Sequence, residues 1–446
     1  MADSPPLRPL GPMEQLFVML DQAATIHFSM WARLQGRLTT DLVSAALAAL
    51  QSRHPLLRAA IEAKGTGALW FVATARPIPL TVVAASSPAK GLVPHLEAEQ
   101  RHPFNTAAGP LIRARLVQAG PEDQTLLLTF HHAIADGISA ATLFGHLFET
   151  LDRLQTGQNP DTTPMADDGP LEHHIPSTHR GLHAMARAAA HAGMQNLQRL
   201  IRPPTHLPIT TRQPPEAGRN RFILNTLTTD QTRRLIHQAQ RHGCTVQAAL
   251  CAAQSHALLS LWPDRAKLHT WLLSLVDLRR RTSPPLAAKI AGLNISMVEA
   301  CHRVRRDTPF WELARQIQTA LQNNINTGFH WWYLPTQARW GGWTRPLRPT
   351  GPNAARALVG HARRIRPSAL TVTNIGQPAI HPIRPNYRIR AMSFVAPLSF
   401  VGRMGAAINT FDGRLHWNFI YNAPAVSPEA AAEFVDRSKA MLIVSI

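Results

Sequence analysis

Residues 130–137 read Phe130-His131-His132-Ala133-Ile134-Ala135-Asp136-Gly137, and the periodicity of the chain changes across them. Residues 125–130 are an apolar run of strand length. From Ile138 to Leu154, by contrast, Leu143, Leu147, Leu151 and Leu154 fall on one helical stripe. Two histidines therefore stand at a strand's end, in a short loop of the kind that a rigid scaffold offers to a cleft. A neutral imidazole in that place can take a proton from an alcohol or an amine near pH 7. Asp136 is expected to fix the setting through an ion pair with a distant part of the fold. Gly137 is expected to let the backbone turn sharply into the helix.

Upstream, residues 111–117 read as a strand that pairs with 125–130 across a turn at Pro121-Glu122-Asp123. Thr39-Thr40-Asp41 caps a helix whose apolar face carries Leu42, Val43, Ala46, Leu47 and Leu50, and which stops at His54-Pro55. Strands are expected at 68–73 and 78–84, and a helix at 92–101. Downstream, two Pro-rich stretches, 156–176 and 202–215, flank a helix at 183–200, which reads as a crossover between halves. The boundaries that follow are residues 1–178 for an N-terminal lobe, 179–220 for the crossover and 221–446 for a C-terminal lobe. The second half opens on Leu227-Thr228-Thr229-Asp230, an echo of Leu38-Thr39-Thr40-Asp41. It continues with strands at 268–275 and 370–374 and a helix at 311–321. A hairpin then turns at Asp412-Gly413, with Leu415, Trp417, Phe419 and Tyr421 on one face, and a last helix runs from Pro428 to about Ala440. Strands and helices mix throughout, so the fold class is α/β (α+β).

The segment around the histidines resembles the signature His-His-x-x-x-Asp-Gly of the condensation-domain and chloramphenicol-acetyltransferase-like acyltransferase superfamily. His131, His132, Asp136 and Gly137 match it in full. Arg53-His54-Pro55-Leu56-Leu57-Arg58, Pro103-Phe104 and Gly109-Pro110-Leu111-Ile112-Arg113 resemble further elements of that family. So do Val276-Asp277-Leu278-Arg279, Gly292-Leu293-Asn294 and Thr373-Asn374-Ile375-Gly376 in the second half. Within it the chain looks most similar to stand-alone phthiocerol dimycocerosyl transferases and alcohol acyltransferases. The Asp-Phe-Gly-Trp-Gly element of peptide-synthetase condensation domains is missing, with Arg403-Met404-Gly405 and the hairpin after it in its approximate place.

The resemblance implies two similar lobes in a V, with a channel between them and His132 midway. It implies His132 as general base, deprotonating an acceptor that attacks an acyl thioester, with His131 packed and supportive. Asp136 is structural in that family and is expected to pair with Arg279, or failing that Arg280. The oxyanion donor is left open among Ser399, Thr373 and Asn374. The implied donor is a coenzyme A or phosphopantetheine thioester, with no bound cofactor and no metal. The expected acceptor is a small-molecule or lipidic alcohol, giving an ester. The alternatives are amide formation in nonribosomal peptide or polyketide biosynthesis, and a non-catalytic relative that only binds a carrier.

Composition bounds the partners. In 446 residues, 46 Lys+Arg stand against 27 Asp+Glu, a net charge of +19, while 45% apolar residues suffice for a full core. No acidic residue occurs between Glu312 and Asp412, an interval holding twelve arginines, among them Arg363, Arg364 and Arg366. This reads either as a solvated basic face or as a docking surface for coenzyme A phosphates or an acidic acyl carrier protein. No nucleic-acid motif accompanies the charge, so nucleic acid is not expected. The same interval holds Trp331, Trp332, Trp340 and Trp343, read either as core aromatics or as a peripheral membrane contact or lid over a lipidic acceptor. Cys244, Cys251 and Cys301 form no C-x-x-C pair and read as buried thiols. With no apolar core in residues 1–12 and no run of membrane-spanning length, a cytoplasmic protein is expected.

Overall fold

The histidine-bearing strand lies in the middle of a five-stranded sheet to which both halves of the chain contribute. The computed structural model describes residues 5–446 except 66–67, 85–87, 209–218, 288–290, 332–333, 335–352, 354, 358–369 and 399–401. The first half runs β1 (Pro6–Pro9), α1 (Pro12–Asp21), β2 (Phe28–Gln35), α2 (Thr40–Arg53), β3 (Ala59–Lys64), β4 (Ala68–Ala73), β5 (Leu80–Ala84), α3 (Pro88–Arg101), β6 (Ile112–Gln118), β7 (Asp123–Phe130) and α4 (Gly137–Gln155). Helix α5 (Gly181–Ile201) crosses to the second half. There follow β8 (Arg219–Ile223), α6 (Thr229–Arg241), α7 (Val246–Ser260), β9 (Lys267–Asp277), β10 (Ile295–Arg305), α8 (Phe310–Asn326), β11 (Leu370–Asn374), β12 (Arg388–Val395), β13 (Met404–Phe411), β14 (Arg414–Ala423) and α9 (Pro428–Ser445).

The expected hairpin of β6 and β7 is antiparallel, with Ile112 opposite Phe130. On the other side of β7 lies β2, with Phe28 opposite Phe130, and beyond β2 comes β12 from the second half. The sheet order is thus β12-β2-β7-β6-β5, so one strand from beyond residue 221 completes the sheet of the first half. Local periodicity cannot reveal such a strand exchange, because it rests on pairing across more than 350 positions of chain. The second sheet runs β10-β9-β11-β13-β14-β8, and a small sheet, β1-β4-β3, stands apart.

The repeated Leu-Thr-Thr-Asp starts a helix in each half for the same reason. Thr39 accepts from the Leu42 N–H at 3.3 Å, and Thr228 from the Gln231 N–H at 3.1 Å. Asp412 and Gly413 both take positive φ, 46° and 71°, which closes the β13–β14 hairpin as its sequence predicts. Leu415, Trp417, Phe419 and Tyr421 pack into the core of the second half, while Ile420 faces the core of the first. A buried polar network ties the two sheets. The Ser393 hydroxyl bonds to Asn409 Oδ1 at 2.7 Å, and Asn418 Nδ2 donates to Ser393 Oγ at 2.7 Å. A third apolar cluster joins α1 (Met13, Phe17, Leu20) to Val276, Leu293 and Val298 of the second half. Trp331 and Leu334 are buried in that cluster, which makes this end of the aromatic stretch core; Trp332, Trp340 and Trp343 lie outside the described residues.

Candidate active site

Pairing of β7 with β2 and β6 ends at Phe130, and the chain then makes one tight turn. The His131 N–H donates to the Leu111 carbonyl at 2.9 Å, and the Ile134 N–H to the His131 carbonyl at 3.1 Å. Asp136 closes the turn as the N-cap of α4, accepting from the Ser139 N–H at 2.8 Å. Within this turn the two histidines face different surroundings.

His131 is wholly buried. Its Nδ1 accepts from the Ala133 N–H at 3.1 Å, and its Nε2 lies 3.5 Å from Asp21 Oδ2. His27 Nδ1 approaches the other Asp21 oxygen at 3.8 Å, and the Ile26 N–H donates to that oxygen at 3.0 Å. Burial alone would raise the Asp21 carboxyl; the two imidazoles outweigh it and hold the group well below the usual carboxylate range. Asp21 was not singled out in the sequence, and nothing local marks it, since α1 ends there more than 100 positions before His131.

His132 lies between two aromatic rings, with Phe17 of α1 at 4.9 Å and Phe28 of β2 at 4.8 Å between centroids. Protein surrounds the ring, yet it keeps a solvent-accessible surface where it borders a cavity. Burial pushes its pKa down to about 4, against a smaller opposing pull from Asp136 and from the carbonyls of His132 and Ala135. Its Nδ1 is buried without a hydrogen bond of full geometry. The imidazole is therefore neutral at pH 7 and able to accept a proton.

Asp136 clamps the two halves. Its carboxylate is fully buried and accepts from Arg279 Nη2 at 3.0 Å through each oxygen, and from the Asn294 N–H at 2.9 Å. Arg279 also donates to Asp277 Oδ1 at 2.8 Å and to Ser139 Oγ at 2.6 Å. Ser139 Oγ in turn donates to the Gly292 carbonyl and accepts from the Gly292 N–H. Burial would raise the Asp136 carboxyl, but Arg279 and the two backbone donors lower it. The carboxylate is thus fully committed and does not face the cavity, whereas Arg280 is exposed.

The structure corrects the reason for Gly137. Its φ is not positive, and α4 begins on it without a special turn. What requires glycine is space: a Cβ there would stand 2.9 Å from Ile375 Cγ2 and 3.5 Å from the Phe394 ring. Both neighbours come from the second half, so the small residue lets that half close over the loop.

The cavity beside His132 is lined from both halves. Phe17, Phe28, Gly137 and Ile138 come from the first, and Leu273, Met297, Ile375 and Phe394 from the second. Its polar groups besides His132 are few: Asp277, Thr371, Thr373 and Asn374. Thr371 Oγ1 is buried with no hydrogen-bond partner. Asn374 Oδ1 accepts from the Gly376 N–H at 2.9 Å, which leaves its Nδ2 as the donor end. A neutral base in an apolar cavity between two halves fits the transfer of an uncharged group between two partners. Residues 10–329 match the family model described as Condensation domain. The chain belongs to the condensation-domain family.

The proteins the chain is similar to include named acyltransferases. Over 332 residues the chain is 26% identical to the phthiocerol/phthiodiolone dimycocerosyl transferase of Mycobacterium leprae, covering 72% of this chain and 74% of that one. A 165-residue stretch is 33% identical to the nonribosomal peptide synthetase kk1B of Curvularia clavata. That stretch is 35% of this chain and 1% of the synthetase, so the chain matches one small part of a much longer protein. The fold is shared with the trichothecene 15-O-acetyltransferase TRI3 of Fusarium sporotrichioides, with a TM-score of 0.75 and 10% identity over 98% of this chain and 94% of that one.

Arg363, Arg364, Arg366 and Ser399 fall outside the described residues, and Thr373 and Asn374 line the cavity. Part of the basic interval is neutralised by carboxylates distant in sequence, since Arg384 pairs with Asp152 and Arg388 with Asp412. Among the described residues no group of three His, Cys, Asp or Glu could hold a metal ion, and no helix is long and apolar enough to cross a membrane. Cys244 and Cys251 are buried and Cys301 is half-buried, all as free thiols.

Proposed function

We propose that this protein transfers an acyl group from a thioester donor, acyl-CoA or an acyl carrier protein, to an alcohol acceptor, with His132 as the general base. The observation that carries this reading is the neutral His132 ring at the wall of an apolar cavity that both halves line. The nitrogen other than the buried Nδ1 takes the proton from the acceptor hydroxyl as its oxygen bonds to the thioester carbon. The tetrahedral intermediate then collapses, the C–S bond breaks, and the departing thiolate receives that proton from the imidazolium. Asn374, which lines the cavity with its Oδ1 engaged by the Gly376 N–H, is the donor assigned to the carbonyl oxygen, through its Nδ2. The base contributes about 10²–10⁴-fold and the rest comes from positioning the two partners.

The preference for an ester is supported by the likeness to the dimycocerosyl transferase, which matches over most of both chains. Amide formation is the second reading, favoured by the match to a peptide synthetase. A panel of acyl-CoA and acyl-N-acetylcysteamine thioesters offered with alcohols and amines decides between them. Thiol release with an ester identified by mass spectrometry is expected. Amide products alone would move the reading to the second, and no transfer above the uncatalysed rate would leave a carrier-binding relative.

A further inference from the structure

The cavity beside His132 carries one charge that the transfer chemistry does not use. Strand β9 sends Leu273, Leu275 and Asp277 to the same face, two positions apart, and all three line that cavity. The apolar wall thus ends on a carboxylate. Among the described lining residues only His132 and Asp277 are ionisable, and burial keeps His132 neutral at pH 7. Asp277 is therefore the only formal charge that those residues bring to the cavity wall.

That charge is not cancelled. Asp277 Oδ1 accepts from Arg279 Nη1 at 2.8 Å and from the Arg279 N–H at 3.3 Å. The same guanidinium serves Asp136, donating through Nη2 to each carboxylate oxygen at 3.0 Å. One cation faces two carboxylates, so the cluster retains a negative charge. The two acids differ in access. The Asp136 side chain is fully buried, whereas that of Asp277 is 32% exposed, and its Oδ2 has no hydrogen-bond partner among the described residues. A purely structural partner for Arg279 needs no open oxygen, since Asp136 already holds that guanidinium. The surplus negative charge is open to the cavity at Asp277.

We infer that Asp277 recognises an ammonium group on the acceptor, so that the alcohol acylated is an amino alcohol, its cationic end on Asp277 and its hydroxyl on His132. An ammonium supplies both the charge and the N–H donors that an open carboxylate oxygen takes, and inside an apolar cavity salt screens such a pair only weakly. The thioester donor is the poorer occupant. Coenzyme A and phosphopantetheine both carry phosphate, which a carboxylate repels. This site rests on the acyl-transfer reading, because the ammonium belongs to the acceptor of that transfer.

Calorimetric binding to the full chain, with no acyl donor present, tests the site apart from the transfer. The probes are aminohexanol, its amine at the end away from the hydroxyl, and hydroxyhexanoate, in which a carboxylate takes the place of the ammonium. The net charge of +19 favours the anion, so a preference for the cation must be local. The wild type should bind aminohexanol at least about tenfold more tightly than hydroxyhexanoate at pH 7. Asp277→Asn keeps an acceptor oxygen for Arg279, so it should keep the thermal midpoint while losing most of that preference. Heptanol, an uncharged probe, should bind wild type and variant within about twofold of each other. The inference is overturned if the wild type binds aminohexanol no more tightly than hydroxyhexanoate, if Asp277→Asn retains the preference, or if the variant loses heptanol as much as aminohexanol. Should Asp277→Asn fail to fold, the wild-type comparison decides. Cation preference without thiol release from any thioester would place the failure in the acyl-transfer reading; thiol release without the preference would place it at Asp277.

Discussion

Removing the Asp136 carboxylate should loosen the junction between the two halves. In Asp136→Ala, Arg279, only 2% exposed, loses a partner at 3.0 Å. At an effective dielectric of about 20 that contact is worth about 5 kcal/mol of attraction. The backbone N–H groups of Ser139 and Asn294 are orphaned as well, at about 1–3 kcal/mol each if water does not reach them. Asp277 stays on Nη1 at 2.8 Å and recovers part of the loss, as does relief of the cost of burying the carboxylate. The expected net loss is about 3–5 kcal/mol, read as a lower urea midpoint by tryptophan fluorescence. Asp136→Ala combined with Arg279→Met leaves no buried charge in the clamp, and it should be more stable than Asp136→Ala alone. A loss below about 1 kcal/mol for the single variant, or a double variant as unstable as the two single losses added, would refute the clamp.

Gly137→Ala places a methyl 2.9 Å from Ile375, so a cost of about 1–3 kcal/mol and reduced turnover are expected, measurable by thermal shift and thiol release. Because burial holds His132 at about 4, the acid limb of kcat/KM should fall near pH 4 to 5 rather than near 6.5, with full activity above it. Stability has its own pH dependence. Burial lowers His54 to about 3, and His206, His302, His330 and His416 to about 4. Their folded values lie below the unfolded value of about 6.5, so an unfolded chain takes up protons first as pH drops. Stability is thus full above about pH 6.5 and is lost progressively toward about 4, which melting curves across that range will show.

Where a feature is encoded locally, its residues reveal it. Thr39 and Thr228 cap helices because a hydroxyl before an apolar period has a nearby N–H to bind, and Asp412-Gly413 turns because both residues tolerate positive φ. His132 and Asp136 were legible as a pattern, and Arg279 as the arginine that follows a matching strand. Phe17, Phe28 and Asp21, which set the surroundings of the two histidines, carry no such mark, since they become neighbours only when α1 and β2 pack against the end of β7. Ser139 is likewise an unremarkable helix residue until Arg279 and Gly292 meet on its hydroxyl. The basic interval shows the converse. A run without acids in sequence is not one in space, because Asp152 and Asp412 reach Arg384 and Arg388 from outside it. β12 escaped the sequence reading for the same reason as Phe28: its partner is β2, at the other end of the chain.

The measurement closest to the central claim is thiol release by His132→Ala, with the fold checked by its melting curve. His132 already borders the cavity, so its truncation enlarges that space and leaves the Asp136–Arg279 clamp in place. A fall of about 10²–10⁴ in kcat, with the melting curve little changed, is the result expected of a general base. Turnover within a few-fold of the wild type would contradict the role given to His132 and, with it, the chemistry proposed for the cavity.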